Sequence, residues 1–372
     1  MTAYRLLHTA DVHLDAAFGG ASAALGARRR EQVRAGFERV LSIAKQHAVD
    51  ALCIAGDLYE DGRAGPDRAN YLRRTLAALA PIRVFISPGN HDPFTPSSLY
   101  SMLDPPDNVH VFPSRRFDRI ELCDGLTLWG CAHERPLDRD PILQGVQCGG
   151  DGTHLLLFHG TDRDRIPPGK ETIAPFDMHD IERTGAAHAM LGHFHGCSSV
   201  GRYAYPGSPE PLNRTETGRH SACMVSVQAG RVETEFIDVN RTRYVDEELD
   251  VGGISDGAAL IDAVKTKLAA VVSLPGSIFC TLRLVGSAVA NLDADLDTIA
   301  REIAALYPGS QIVLNFSAFD LNAIEKETGT VRGAFVKAMR NDLNASAAED
   351  RARIEKALEY GLVAFSGQQL RP

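Results

Sequence analysis

Residue types that bind metal ions recur in five short segments within the first 200 positions. Aspartate and asparagine offer hard oxygen ligands, and histidine offers a nitrogen of intermediate softness, a mixture that manganese, iron and zinc accept. In chain order, the segments are Asp11-Val-His13, Gly56-Asp57, Gly89-Asn-His-Asp92, His159-Gly160 and Gly192-His-Phe-His195. Such a set can hold two ions, and two ions about 3.5–4 Å apart can clamp a phosphate and activate a water.

Each of these segments follows a predicted β-strand. Strands and helices alternate over the first 90 residues, with strands at 4–9, 51–55 and 83–86 and helices at 27–47 and 67–80. This alternation predicts βαβ units and a mostly parallel sheet. Ligands bind at the carboxyl ends of strands in layered α/β folds, so we expect the five segments to meet at one rim. The glycine before three of the ligands lets the backbone turn sharply and approach the ions.

After residue 108 the pattern changes to short strands separated by turns, which predicts a second sheet packed face to face on the first. These strands are expected at 109–112, 117–122, 126–130, 154–158, 187–191, 202–205, 221–227 and 231–237. The acidic, glycine-containing run at 240–254 is predicted to be a linker or a sheet edge. Further on, a helix (255–272), a strand (277–284), a helix (292–306) and a strand (310–316) predict a small α/β module, followed by two helices within 329–361.

Composition and charge narrow the class of protein. Of 372 residues, 44% are hydrophobic and 23% are charged, which excludes a disordered, collagen-like or coiled-coil chain. No run of 18 apolar residues occurs, so no membrane span is expected, and the first residues do not resemble a signal peptide. Seven dispersed cysteines without a CxxC pair predict reduced thiols and a cytoplasmic location.

The net charge of −9 argues against a protein that simply coats nucleic acid. Residues from 245 onwards contain 18 acidic and 12 basic residues, a net −6, which leaves −3 for the first part of the chain. Two divalent ions would bring that first part to about +1 and favour a phosphodiester near the metals. The sequence shows no basic stripe, so we expect DNA affinity to depend partly on a partner.

The five segments, in this order, resemble the signature of the calcineurin-like metallophosphoesterase superfamily. Three longer stretches resemble the SbcD-type DNA repair nucleases, and are similar to their YhaO-type bacterial subgroup: His8-Thr-Ala-Asp-Val-His-Leu-Asp-Ala-Ala-Phe18, Ala55-Gly-Asp-Leu-Tyr59 and Tyr205-Pro-Gly-Ser-Pro209. The resemblance implies an α/β fold, a two-sheet layered sandwich flanked by helices with a smaller C-terminal α/β cap. We therefore expect a nuclease domain at 1–244, a capping domain at 245–322 and C-terminal helices at 323–372.

The resemblance also implies two metal sites that share one carboxylate. The ligands that it implies are Asp11, His13, Asp57 and His195 for one ion and Asp57, Asn90, His159 and His193 for the other. His91 is implied not to bind metal but to steady the transition state or protonate the leaving oxygen, while a metal-bound hydroxide attacks phosphorus in line. The expected metal is Mn²⁺, with Fe or Zn as alternatives.

Three further features have two interpretations each. In many relatives an aspartate three residues after the bridging aspartate orients the catalytic histidine. Here that position is Glu60, followed by Asp61, and either carboxylate could act. Asp92 is a candidate for the catalytic machinery or only for bracing its loop. Gly207 and Ser208 could contact a phosphate backbone, or form a plain turn.

The implied function is hydrolysis of DNA phosphodiesters in repair, as an exonuclease or endonuclease, by a homodimer that works with an SMC-like (SbcC-type) coiled-coil ATPase. The apolar face formed by Val331, Phe335, Val336 and Met339 would dock that ATPase, or would pack on its own domain. The basic runs at 28–30 and 115–116 could contact DNA or form solvated surface. A phosphoesterase for a small nucleotide or other phosphodiester is the alternative. A non-enzymatic scaffold is disfavoured because every ligand is kept.

Overall fold

The structure, a computed structural model, describes residues 3–19, 23–63, 65–166, 171–251, 254, 256–272, 277–285, 301–303, 311–316, 319, 321–346 and 348–365. The chain divides into two compact units, Met1–Thr242 and Arg243–Pro372. No described helix is both long and apolar enough to cross a bilayer. All seven cysteines lie in described segments, and each is a free thiol.

The N-terminal unit alternates helices and strands and then continues mainly as strands. Its described elements are β1 (Tyr4–Thr9), α1 (Ala23–Gln46), β2 (Ala51–Ile54), α2 (Pro66–Ala77), β3 (Arg83–Ile86), α3 (Leu99–Met102), β4 (Val109–Val111), β5 (Asp118–Cys123), β6 (Leu126–Gly130), β7 (Thr153–His159), α4 (Met178–Thr184), β8 (His188–Gly192), β9 (Ser198–Val200), β10 (Tyr203–Tyr205), β11 (Ser221–Gln228) and β12 (Arg231–Asp238). A short 3₁₀ turn lies at Asp61–Arg63.

These strands form two six-stranded sheets in the described part of the unit, in the orders β12-β11-β1-β2-β3-β4 and β5-β6-β7-β8-β10-β9. β1 to β4 are parallel, whereas β11 is antiparallel to β1. In the second sheet β6, β7, β8 and β10 are parallel. The expected two-sheet α/β sandwich is therefore confirmed.

The expectation that every strand after residue 108 joins the second sheet is wrong for β4, β11 and β12. β4 pairs in parallel with β3, and β11 pairs along the free edge of β1, where Leu6 lies opposite Val225. Alternation of apolar residues identifies a strand and its buried face, but it does not say which sheet edge the strand will satisfy.

The packing of the first sheet follows from the two-residue period of a strand. Leu6 points into the core between the sheets, with Phe85 of the same sheet and Leu128 and Leu157 of the other. Its neighbour Leu7 points to the opposite face, where the apolar sides of α1 and α2 cover the sheet. A third core packs α4 and nearby loops on the outer face of the second sheet. Each face of the sandwich is thus covered, which fixes the strand ends in space.

In the C-terminal unit, the run predicted to be a linker or an edge forms an edge strand. Its described elements are β13 (Thr242–Asp250), α5 (Gly257–Val272), β14 (Ser277–Val285), β15 (Gln311–Phe316), α6 (Leu321–Glu325), α7 (Val331–Ala345) and α8 (Ala348–Phe365). β13, β14 and β15 make a three-stranded sheet in the described residues, with β13 at its edge. The helix predicted at 292–306 lies outside the described residues, apart from 301–303.

The apolar face predicted on α7 packs mostly within its own unit. Val336 is buried, and Phe335 and Met339 lie against the same small core, which includes Leu362 of α8. Val331, at the start of α7, is 75% exposed. Packing on its own domain therefore accounts for three of the four residues on this face.

Candidate metal centre

The five segments predicted to carry metal ligands meet where the strands of both sheets end. The residues and the strands that precede them are Asp11 and His13 after β1, Asp57 after β2, Asn90 and His91 after β3, His159 at the end of β7, and His193 and His195 after β8. Direct contacts join the two sheets here. Both carboxylate oxygens of Asp11 lie 3.0 Å from the His193 backbone nitrogen, which donates to them. Oδ2 of Asp57 lies 3.4 Å from Nε2 of His159.

Four of these residues have a left-handed backbone. The φ angles are 52° at Asp11, 52° at His13, 51° at Asp57 and 109° at His193. A non-glycine residue in this region costs about 1–3 kcal/mol, and such strain persists only where surrounding contacts fix it. One such contact is the hydrogen bond from the His13 backbone N–H to the Asp57 carbonyl, 2.9 Å. Four of the ten non-glycine residues with positive φ in the described part of the chain are thus candidate ligands of the rim.

Two glycines let the loops of the rim approach each other. A Cβ on Gly89 would lie 2.3 Å from Oδ1 of Asp57, and a Cβ on Gly192 would lie 1.8 Å from the carbonyl oxygen of Ala55. No side chain fits at such distances. The expectation that glycine allows the backbone to approach the site closely is confirmed at both positions.

Asp57 lies at the middle of the rim. Its Oδ2 is 3.6 Å from Nε2 of His13 and 3.4 Å from Nε2 of His159, while its Oδ1 accepts a hydrogen bond from the backbone N–H of His91 at 2.9 Å. Burial raises the pKa of Asp57, but the charges of His159 and His13 outweigh burial and hold that pKa below its usual value. One ionised carboxylate therefore faces histidines from both proposed ligand groups.

Four histidines of the rim share one arrangement: one ring nitrogen donates to a protein oxygen. These pairs are His13 Nδ1 with Glu60 Oε1 (2.7 Å), His159 Nδ1 with the Ala55 carbonyl (2.9 Å), His193 Nε2 with the Glu171 carbonyl (2.9 Å) and His195 Nδ1 with Glu216 Oε1 (2.8 Å). Histidines that bind metals usually donate their second nitrogen to such an oxygen, which fixes the tautomer and the ring orientation. The arrangement leaves Nε2 of His13, His159 and His195 as the ring nitrogens that could bind a metal ion.

The residues present fit divalent metal ions. Nε2 of His13 is fully buried and has no hydrogen-bond partner among the residues that the structure describes. Donor atoms of Asp11, His13 and His195 lie within 4.8 Å of one another, as do those of Asp11, Asp57 and His159. Oδ1 of Asn90 lies 3.0 Å from Nε2 of His159, and adds an uncharged oxygen. Carboxylate, amide and imidazole donors together suit Mn, Fe or Zn.

His91 lies at the exposed side of the rim, with its side chain 45% exposed. Its Nδ1 is 3.1 Å from Oε2 of Glu60, and its ring centre is 4.7 Å from that of His13. The hydrogen bond with Glu60 raises the pKa of His91 to about 9, against the opposing effect of partial burial. His91 is therefore accessible to a substrate and is held by a carboxylate on its Nδ1.

Of the two carboxylates considered for orienting His91, Glu60 is the one whose side chain contacts it. Glu60 spans the rings of His13 and His91 with its two oxygens. Burial raises the pKa of Glu60, but these two hydrogen bonds outweigh burial and lower the pKa to about 2. Asp61 contacts His91 through its backbone N–H, which donates to the His91 carbonyl.

Asp92 is completely buried and braces two loops. One of its oxygens accepts hydrogen bonds from the backbone N–H groups of Asp57 and Gly89, and the other accepts from the N–H of Leu58 and the hydroxyl of Tyr100. These four bonds tie the loop after β2 to the loop after β3. They support the bracing interpretation of Asp92 rather than direct contact with a substrate.

Gly207 and Ser208 lie under the His195 loop instead of facing solvent. Ser208 is completely buried, its hydroxyl is 3.0 Å from Nδ1 of His220, and its backbone N–H donates to the His195 carbonyl. A Cβ on Gly207 would lie 2.5 Å from that same carbonyl oxygen. The position favours the plain-turn interpretation of Ser208 over contact with a phosphate backbone, because its donor groups are used inside the protein.

Each of the two basic runs has one arginine that contacts the fold, whereas Arg28 and Arg116 are exposed. Arg29 is buried and donates to Thr242 Oγ1 and to the Pro211 carbonyl. Arg115 donates from Nε to the buried carboxylate of Asp138 at 2.6 Å. Both arginines stabilise the fold.

Sequence reasoning missed Glu216. Its Oε1 accepts from Nδ1 of His195, and its Oε2 accepts from the backbone N–H of Leu212. Burial raises the pKa of Glu216, but the contact with His195 outweighs burial and leaves the pKa below its usual value. Glu216 follows His195 by 21 positions in a loop without a recognisable pattern, so no local signal points to it.

Comparison with known proteins defines the family. The model of the calcineurin-like phosphoesterase family matches residues 4–197, over half of the chain. The chain therefore belongs to this family of phosphoesterases, as its motifs indicate. It is 24% identical over 279 residues to "Uncharacterized metallophosphoesterase YhaO" of Bacillus subtilis, covering 71% of this chain and 67% of that protein.

Two further relatives carry the name "DNA double-strand break repair protein Mre11". The protein from Methanopyrus kandleri is 25% identical over 274 residues, covering 64% of this chain and 58% of the relative, so the match spans less than two thirds of its length. The protein from Aeropyrum pernix is 26% identical over 294 residues, covering 72% of this chain and 68% of that relative.

Two solved structures are similar to this chain at low sequence identity. The protein TT1561 of Thermus thermophilus gives a TM-score of 0.38 at 14% identity, covering 63% of this chain and 99% of that one. A dimetal phosphatase from Danio rerio gives a TM-score of 0.39 at 11% identity, covering 64% of this chain and 99% of that one.

Proposed function

We propose that this chain is a phosphodiesterase that uses two divalent ions to hydrolyse DNA. The observation that carries the proposal is the arrangement of three rim histidines, which donate from Nδ1 to a protein oxygen and turn Nε2 toward Asp11 or Asp57. DNA as the substrate is supported by the names of the two Mre11 relatives. Mn²⁺ is the proposed metal because two of the four proposed ligands at each site are oxygens, with Fe or Zn as alternatives.

The two proposed ion sites share Asp57. Asp11, His13, Asp57 and His195 would hold one ion, and Asp57, Asn90, His159 and His193 the other. When bound, such ions neutralise the charge of a phosphate and lower the pKa of a bound water. The buried, hydrogen-bonded side chains keep the donors oriented before any ion arrives, so little reorganisation accompanies binding.

His91 is the proposed proton donor. Glu60 holds Nδ1 of His91, which leaves Nε2 as the atom that can give a proton to the leaving oxygen when the P–O bond breaks. Partial exposure lets the ring reach a bound diester, whereas the buried histidines cannot. Asp92, through its four hydrogen bonds, positions the loops of Asp57 and His91.

The test is hydrolysis of labelled single-stranded and double-stranded DNA by the purified chain with Mn²⁺, beside the His91→Ala variant and a small chromogenic phosphodiester. Cleavage of DNA that is lost in the variant supports the proposal. Cleavage of the small diester without cleavage of DNA, also after an SMC-like ATPase partner is added, contradicts it. That outcome favours the alternative, a phosphoesterase for a small nucleotide or other phosphodiester.

Three further proposals follow from the motif resemblance: an SMC-like ATPase partner, a homodimer and a cytoplasmic location. The exposed Val331 on α7 is available to a partner, and the seven free thiols suit a reducing compartment. Light scattering of the purified chain tests the dimer, with a single-chain mass of 40.3 kDa as the contradicting result.

A further inference from the structure

Four arginines line one groove of the N-terminal unit. The groove has a volume of about 490 Å³, and its arginines come from three elements: Arg34 of α1, Arg63 of the 3₁₀ turn, and Arg68 and Arg74 of α2. They are separated by up to 40 positions in the chain, so no basic stripe is visible in the sequence. Folding therefore creates a basic surface on a chain whose net charge is −9.

The centre of the groove is held rigidly. Arg68 makes a two-bond ion pair with Asp15, Nε to Oδ2 at 2.6 Å and Nη2 to Oδ1 at 2.5 Å. The ring of Tyr71 lies 4.6 Å from the guanidinium of Arg34 and 5.0 Å from that of Arg68. Cation–π contacts and a planar ion pair fix these side chains before a ligand binds.

The groove keeps a surplus of positive charge. Its lining includes two carboxylates, those of Asp15 and Asp67, and Glu38 pairs with Arg34 at 3.0 Å. Arg63 and Arg74 are exposed, and neither forms an ion pair with a residue that the structure describes. Two guanidinium groups are therefore available to an anion, with donors in the planar fork geometry that matches phosphate.

The groove is adjacent in the chain to the candidate metal centre. Asp15 is two residues after His13, and Arg63 is three residues after Glu60. Two residues span at most about 7 Å, so Asp15 of the groove lies within that distance of His13, a proposed metal ligand. The backbone N–H of Arg63 donates to the Glu60 carbonyl, which connects this turn to the residue that supports His91.

We propose that this groove binds the phosphate backbone of DNA and leads it to the metal centre. The inference rests on the proposed function, because it assumes a polymeric phosphodiester substrate. Phosphate contacts from arginine position DNA without reading its sequence. Arg63 and Arg74 supply the contacts, while Arg34, Arg68 and Tyr71 form the fixed wall beside them.

The test measures binding without cleavage. Fluorescence anisotropy of a labelled 20-base single strand and of its duplex is recorded in EDTA at several salt concentrations, for the full chain and for Arg63→Ala/Arg74→Ala. The slope of log K against log salt is negative, and each lost phosphate contact reduces its magnitude by about 0.7 for single strands and 0.9 for duplex DNA. We expect the double variant to bind about tenfold more weakly at low salt and to lose about 1.4–1.8 from the slope.

The matched control is Arg119→Ala/Arg139→Ala, which removes the same charge from two exposed arginines outside the groove. The control should bind DNA as the unaltered chain does. Circular dichroism and thermal melting confirm that both double variants fold. An equal loss of DNA affinity in the two double variants would mean that only the net charge of the chain affects binding, and would overturn the inference.

Failure of the inference and failure of the proposed function are distinguishable. Unchanged DNA affinity in Arg63→Ala/Arg74→Ala, or no binding of DNA by the unaltered chain at low salt, overturns the groove even if the chain cuts DNA with Mn²⁺. Weakened binding in that variant together with no DNA cleavage by the unaltered chain keeps the groove and overturns the nuclease proposal.

Discussion

Oε1 of Glu60 lies 2.7 Å from Nδ1 of His13, so the carboxylate that holds His91 also holds a proposed metal ligand. A glutamate reaches both rings at once with its two oxygens. The same side chain therefore holds the proposed proton donor and one proposed metal ligand.

Replacing Glu60 by glutamine should lower turnover and weaken metal binding about 10–100-fold, because outer partners of metal-binding histidines have effects of this size. Turnover of a small diester and calorimetry of Mn²⁺ binding measure the two effects. Asp61→Asn is the matched control and should change neither, since Asp61 contacts His91 through its backbone. A larger effect for Asp61→Asn than for Glu60→Gln would contradict the assignment.

His91→Ala should slow turnover by about 10²–10⁴-fold, the usual contribution of a positioned acid or base. The variant should still bind two ions, because His91 donates no atom to the proposed ion sites. Metal content by mass spectrometry, measured beside turnover, separates the two effects. Loss of bound metal in this variant would show that His91 is a ligand.

Asp57→Ala should remove both ions. Its Oδ2 lies near Nε2 of both His13 and His159, one from each proposed site, so the substitution removes a donor that the two sites share. The metal content of the purified variant is the direct measurement. Retention of two ions would refute the shared position of Asp57, and retention of one would restrict Asp57 to a single site.

Glu216→Gln should weaken binding of one ion by about 10–100-fold and leave the other unchanged, because Glu216 orients only His195. Glu171→Gln provides the matched control. Glu171 contacts His193 through its backbone carbonyl, so a change of its side chain should not affect binding. A two-site Mn²⁺ titration distinguishes the variants, and equal effects of both would contradict the role of Glu216.

Asp138→Asn should destabilise the protein in a pH-dependent way. Burial raises the pKa of Asp138, but hydrogen bonds from Arg115 and Arg135 outweigh burial and hold the pKa below its usual value. Its contribution to stability is therefore present above the unfolded-state pKa, near 3.8, and is lost as the pH falls through the lower folded-state pKa.

We expect a loss of about 1.5–3 kcal/mol in the free energy of unfolding at pH 7, and a smaller loss at pH 3.5. Urea unfolding of both proteins at the two pH values gives the difference. A loss that grows as the pH falls would contradict the ionised state of Asp138 in the folded protein.

The sequence predicted the strands well because the signal for a strand is local, and the candidate ligands lie where those strands end. Each ligand follows a short apolar run directly, as Asp57 follows β2 and His193 follows β8. The helix over 27–47 was predictable from the spacing of Val33, Phe37 and Val40, which are all buried in α1. Family resemblance added which of these side chains would share an ion.

The remaining features depend on long-range contacts that spacing does not encode. The sheet that β11 joins was predicted wrongly, because β11 pairs with a strand more than 200 positions earlier. Glu216 reaches His195 across a loop, and the groove arginines meet only when α1 and α2 pack on the same sheet face. The burial of Ser208 likewise depends on His220, which lies 12 positions later.

β1 carries Asp11 and His13 at its end, and it lies between β2 and β11 in the first sheet. During synthesis, β2 is available within about 50 residues, whereas β11 begins only at Ser221. The growing chain therefore presents one open edge of β1, with unpaired N–H and C=O groups, until most of the N-terminal unit has left the ribosome. β1 is therefore among the last strands of the N-terminal unit to acquire all of its neighbours.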